Sequence, residues 1–103
     1  MKIEFLYYED CPSHEQALER LEQVLTEENI DAPITITKVE TEEQAIARQF
    51  VGSPTILING QDIVPPVAEA YFGLTCRVYQ LEDGRFSPLP SVMMIRQGLR
   101  VAE

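Results

Sequence analysis

The chain has 103 residues, of which 45% are hydrophobic and 24% charged, enough for one compact core and too few for two, so a single domain over residues 1–103 is expected. Its 17 acids against 8 Lys and Arg leave a net charge of −9, with residues 1–50 holding 12 of the acids and 4 of the bases, a balance that excludes nucleic acid and anionic membranes as natural partners. No apolar run approaches the ~20 residues that span a bilayer, and the opening MKIEFLYYED places acids straight after a short apolar run, so a cytoplasmic protein is expected.

Residues 2–8, KIEFLYY, are rich in strand formers and hold the apolar run Phe5-Leu6-Tyr7-Tyr8, the pattern of a strand buried on both faces. From Pro12 the period changes. Ala17, Leu18, Leu21, Val24 and Leu25 recur at three- and four-residue steps opposite Glu15, Glu19, Glu22, Gln23 and Glu27, which predicts an amphipathic helix with Pro12 in its first turn. A second strand is predicted over ITITKV, 34–39, and then a short helix capped by Thr41 with Gln44 three residues on, its apolar face formed by Ala45, Ile46 and Phe50.

Thr55–Ile58 and Gln61–Val64 flank Asn59-Gly60, a strong hairpin signal because both central positions of a type I′ turn need positive φ. Pro65-Pro66 should stop strand four, and residues 67–74 read as a loop or single helical turn ending at Gly73. Cys76–Leu81 reads as a further strand, with Asp83-Gly84 turning into Arg85-Phe86. Ser91 then caps a C-terminal helix in which Val92, Ile95 and Leu99 share one face.

Two cysteines do not make a disulfide framework, so a functional thiol is the first expectation. Cys11 stands at a strand-to-helix junction in YEDCPSH. The unsatisfied amides and positive end of a helix favour a thiolate there, and His14 lies one turn on, while Glu9, Asp10 and Glu15 oppose it; the expected net effect is a modest lowering of the thiol pKa in a partly solvated Cys11. Strand three runs away from the Cys11 end and strand four returns, so residues 65–75 should bring Cys76 near Cys11. Three readings of Cys76 stay open: a buried structural cysteine, a thiol resolving Cys11, or a second soft-metal ligand. Arg77 should face away from that thiol, because neighbouring strand side chains point to opposite faces.

The order strand, helix, strand, helix, hairpin, helix, with Cys11-Pro12-Ser13-His14 at the first junction and Gly52-Ser53-Pro54-Thr55 opening the hairpin, resembles the thioredoxin superfamily. It is most similar to a branch of small thioredoxin-like proteins that keep the first motif cysteine only, some of which carry selenocysteine there. The resemblance implies an α/β fold, a β-α-β-α-β-β-α three-layer sandwich with an insert between the β3–β4 hairpin and the C-terminal helix. It also implies a cis Pro54 beside Cys11, with the Ser53 backbone open to an extended peptide or to glutathione. His14 stands where a resolving cysteine would, so exchange within a CxxC pair is excluded. The candidate catalytic residues are Cys11, His14 and Cys76, and the candidate substrate-binding residues are Pro12, Ser53, Pro54 and Thr55. The expected function is a monothiol oxidoreductase acting on disulfides, peroxides or glutathione adducts, with glutathione as a candidate co-substrate and no resident cofactor or metal. The competing readings are a mercury- or copper-binding protein using Cys11 and Cys76, and a non-catalytic interaction module; oligomeric state is left open.

Overall fold

A computed structural model describes residues 1–65 and 71–101. β1 (Ile3–Tyr7) is the centre of the sheet, because its buried run leaves no face for water. α1 (His14–Glu27) carries the chain across to β2 (Ile34–Lys38), which pairs parallel to β1 with Ile3 opposite Ile34. α2 (Glu42–Ala47) follows, then β3 (Thr55–Ile58), antiparallel to β1 with Phe5 opposite Ile56. β4 (Gln61–Asp62) returns beside β3, so the mixed sheet has the order β2-β1-β3-β4. A second, two-stranded sheet pairs β5 (Tyr79–Gln80) with β6 (Phe86–Ser87), and α3 (Val92–Val101) ends the described chain. The fold is mixed α/β, a mixed sheet with three helices.

Alternation along β1 and β3 sorts the core. Ile3, Phe5, Ile56 and Ile58 meet Ala17, Leu21, Val24 and Leu25 of α1 and Ile95 and Leu99 of α3. Leu6, Val39, Ala45 and Phe50 form a second cluster, against which Tyr8, Leu57 and Leu74 pack. Consecutive residues such as Phe5 and Leu6 thus belong to different clusters, as the pleat requires. The Asn59-Gly60 turn has positive φ at both positions, 52° and 83°, as a type I′ hairpin demands. The α2 cap forms too: Gln44 N donates to Thr41 Oγ1 at 3.1 Å, and the Gln44 side chain receives the Glu40 amide at 2.8 Å, one residue earlier than the usual reciprocal bond.

Several boundaries differ from the sequence expectation. α1 begins at His14 with Ser13 as its cap, because the Cys11 amide donates to Tyr8 O and holds residues 8–11 in a turn; Pro12 precedes the helix instead of occupying its first turn. β4 stops at Asp62, whose carboxylate takes the Val64 amide at 2.9 Å and bends the chain away from β3. Ile46 and Ile36 lie exposed, at 59% and 52%, so α2 buries only Ala45 with Phe50 just beyond it, and β2 contributes Ile34 to the core. The strand read over Cys76–Leu81 is an isolated bridge at Cys76 followed by β5. Pro66 of the expected strand stop, residues 67–70 of the loop or turn expected over 67–74, and the last two residues of the C-terminal helix as read from sequence lie outside the described residues.

No described helix is long and apolar enough to cross a membrane. Leu21, wholly buried between α1 and the sheet, is the simplest probe of this packing. Leu21→Ala is expected to destabilise the protein by about 2–5 kcal/mol and Glu22→Ala, on the exposed face, by less than about 0.5, as read from the midpoint of urea unfolding.

Candidate functional site

Cys11 and Cys76 are joined by a disulfide across 65 residues of sequence, with Cα atoms 5.7 Å apart, a separation typical of such bonds. The structure therefore brings together the two thiols whose relation the sequence left open. The two halves of the bond are in different surroundings. Cys11 is buried, with 1% of its surface exposed, which corrects the expectation of a partly solvated sulfur at that position; the turn that ties its amide to Tyr8 O draws it under the end of the sheet. Cys76 is exposed.

What holds Cys76 in place is the neighbouring backbone. The Ser53 amide donates to Thr75 O and the Arg77 amide donates to Ser53 O, both at 2.9 Å, which makes a parallel bridge between Ser53 and Cys76. The Ser53–Pro54 peptide bond is cis. Ser53 was expected to offer its backbone to an extended substrate. Instead both of its backbone groups are satisfied by this chain's own Thr75–Arg77 segment, so that edge is closed in the disulfide-bonded form.

Gly52 is what lets the segment come so close. It has φ +139°, and a Cβ placed on it would stand 2.8–2.9 Å from the Cβ, Cα and backbone nitrogen of Arg77. Any side chain would push the segment away. Thr55 Oγ1 donates to Gly52 O and so braces the same bend.

Arg77 is the deepest anchor. Its guanidinium meets the Asp62 carboxylate at 2.7 Å with the two side chains only 8% and 9% exposed, and donates to Val64 O at 2.7 Å and to Thr55 Oγ1 at 3.5 Å. It also lies over the Tyr79 ring, 4.5 Å from the centroid, where the negative ring face attracts a cation. The Tyr79 hydroxyl in turn donates to Pro54 O. Arg77, Asp62 and Tyr79 escaped the sequence reading as site residues. Strand alternation in CRVYQ sets Arg77 and Tyr79 on one face and Cys76, Val78 and Gln80 on the other; that the first two are buried and the last three exposed is decided by the fold.

The remaining candidates are less tightly drawn in. His14 stacks on Tyr7, ring centroids 4.5 Å apart, at the start of α1. Pro12 is exposed, whereas Pro54 and Thr55 are buried beneath the 75–79 segment's anchor. Of the acids that oppose a thiolate at Cys11, Glu9 is paired with Lys38 at 2.7 Å and Asp10 accepts from the Tyr8 hydroxyl at 2.9 Å. That Asp10 contact holds the Tyr8 hydroxyl above its ordinary pKa, and the Glu9 contact does the same for Lys38. Among the described residues no group of three or more His, Cys, Asp and Glu is arranged to hold a metal ion.

Burial pushes the Tyr79 phenol far above its ordinary pKa of 10.0; the nearby Arg77 charge pulls the other way without offsetting it. A group held protonated by the fold contributes stability below the unfolded pKa and loses it above. Stability is therefore expected to fall as pH rises past about 10, and the difference between wild type and Tyr79→Phe in alkaline urea titrations isolates this residue, since the variant has no phenol to ionise there. Arg77→Met leaves Asp62 buried and unpaired and is expected to destabilise by about 3–5 kcal/mol at neutral pH, whereas Arg85→Met, at an exposed pair with Asp83, should change the urea midpoint little.

No curated protein and no solved structure matches this chain. One family model does, described as a domain of unknown function and designated DUF2703, over residues 1–98. With nearly its whole length matched, the chain belongs to the DUF2703 family.

Proposed function

We propose that the protein is a thioredoxin-like thiol–disulfide oxidoreductase whose redox couple is the pair Cys11 and Cys76. The observation that supports this reading is the bond itself. It links the first strand-to-helix junction to a segment hydrogen-bonded against a cis Ser53–Pro54 bend, the two places at which the resemblance to the thioredoxin superfamily assigns chemistry. His14 does not hinder such a cycle, because the second sulfur comes from the region between the hairpin and α3 in place of the third residue after Cys11. The fold order β1-α1-β2-α2-β3-β4 followed by α3, with helices against both faces of the sheet, supports the same kinship.

In the cycle, a partner thiolate opens the Cys11–Cys76 bond to give a mixed disulfide and one free thiolate. A second partner thiol then releases the partner as its own disulfide and leaves both protein thiols reduced. Run in reverse, the reduced pair takes up a disulfide substrate and closes its own bond. Glutathione or a protein dithiol fits the role of partner. Neither soft-metal binding nor a purely non-catalytic role has a specific observation in its favour, since each sulfur is committed to the other in this state.

The reading is tested by turnover. Oxidised protein titrated under denaturing conditions should show no free thiol, and dithiothreitol should liberate two per chain, which become one in Cys11→Ser or Cys76→Ser. Reduced wild type should accelerate reduction of insulin or of a glutathionylated peptide, and either single variant should lose at least about tenfold of the rate. A wild-type protein that turns over none of these substrates sinks the proposal.

A further inference from the structure

The two cysteines of one disulfide are not equally exposed here, and the difference assigns them roles. Thiolate attack on a disulfide requires the incoming sulfur to reach the sulfur it bonds to, so access decides which one is attacked. Only 1% of Cys11 is exposed, and the turn that buries it is tied by its own amide. Cys76 is an exposed residue, in a segment whose Arg77 and Tyr79 are buried and whose Val78 is 62% exposed. The groove at Ser53 gives no alternative approach, because the backbone groups there are taken by Thr75 and Arg77.

We infer that Cys76, and not Cys11, is the sulfur that exchanges with the partner thiol, with Cys11 as the leaving and resolving sulfur. This rests on the oxidoreductase reading above and reverses the order expected of the motif cysteine. In the reducing direction, a partner thiolate bonds to Cys76 Sγ and the Cys11–Cys76 bond breaks. The electron pair of that bond leaves on Cys11 as a thiolate. Cys11 lies two residues ahead of the Ser13 cap of α1, where the positive end of the helix favours that charge. A second thiolate of the partner then attacks the partner's sulfur in the mixed disulfide, and Cys76 departs as the other thiolate. Two electrons have passed from two partner thiols to the protein disulfide. In the opposite direction Cys76 attacks a substrate disulfide and Cys11 closes the bond.

The anchors of Cys76 make the second half of this scheme efficient. The Ser53 bridge and the buried Arg77–Asp62 pair are independent of the S–S bond, so they hold Cys76 beside Cys11 while it carries a partner. Cys11 therefore meets the mixed disulfide without a search.

Wild-type protein is sufficient for the test. Oxidised protein is mixed with excess glutathione, sampled over seconds to minutes into excess maleimide, digested, and mapped by mass spectrometry. The expected product carries glutathione on Cys76 and maleimide on Cys11, at least about tenfold over the inverse product. Glutathione mainly on Cys11, similar amounts on both, or no adduct on either sulfur overturns the assignment. The two proposals fail separately. An adduct on Cys76 in a protein that turns over no disulfide substrate removes the enzyme and keeps the order of attack, whereas turnover with the adduct on Cys11 removes only the order of attack.

Discussion

The guanidinium of Arg77, closed in against Asp62, Val64 O and the Tyr79 ring, is the contact on which the location of the second cysteine depends. A charge this far from water is tolerated only with a partner at hydrogen-bond distance and its other donors engaged, and Asp62 at the end of β4 supplies the first while Val64 O supplies much of the second. Once that pair is made, the backbone on either side has little freedom. Thr75 and Arg77 reach Ser53, Tyr79 reaches Pro54 O, and Cys76 is left standing over Cys11. Gly52 completes the arrangement by having nothing at the position where a Cβ would meet Arg77.

The elements before residue 62 were legible because each rests on a local rule. Leu21, Val24 and Leu25 recur at helical spacing and are buried; Thr41 and Gln44 make their cap; Asn59 and Gly60 take the two positive φ values that their residue types predict. The readings that failed there did so where tertiary packing overrides pattern. Ile46 was read into the apolar face of α2 but lies exposed on a six-residue helix, where no described residue covers it, as Ile36 does on the edge strand β2.

The region after residue 62 was harder to read for a different reason. An arginine in a strand-like run is ordinarily solvated, so nothing in CRVYQL by itself reveals that Arg77 is an inward residue whose partner is fifteen positions earlier. The pairing of Cys11 with Cys76 follows from that inward turn, which is why three readings of Cys76 stayed open in the sequence. The open Ser53 edge was misjudged on the same account: the competitor for its hydrogen bonds is another part of the chain, and only the fold brings it there. The candidate thiols themselves were legible; which of them meets water was not.

The sulfur bridge closes a stretch of 65 residues, and in the chain-entropy view a closure of that span favours the folded form by roughly 4 kcal/mol. A thermodynamic cycle makes the relation reciprocal: whatever the bond lends to folding, folding lends to the bond, on the order of a thousandfold in the equilibrium for forming it. An unfolded chain has no such bias, since its cysteines wander apart. Closure thus marks a polypeptide whose hairpin, cis bend and returning segment are already assembled, and a mutation that loosens any of these would also make the bond easier to open.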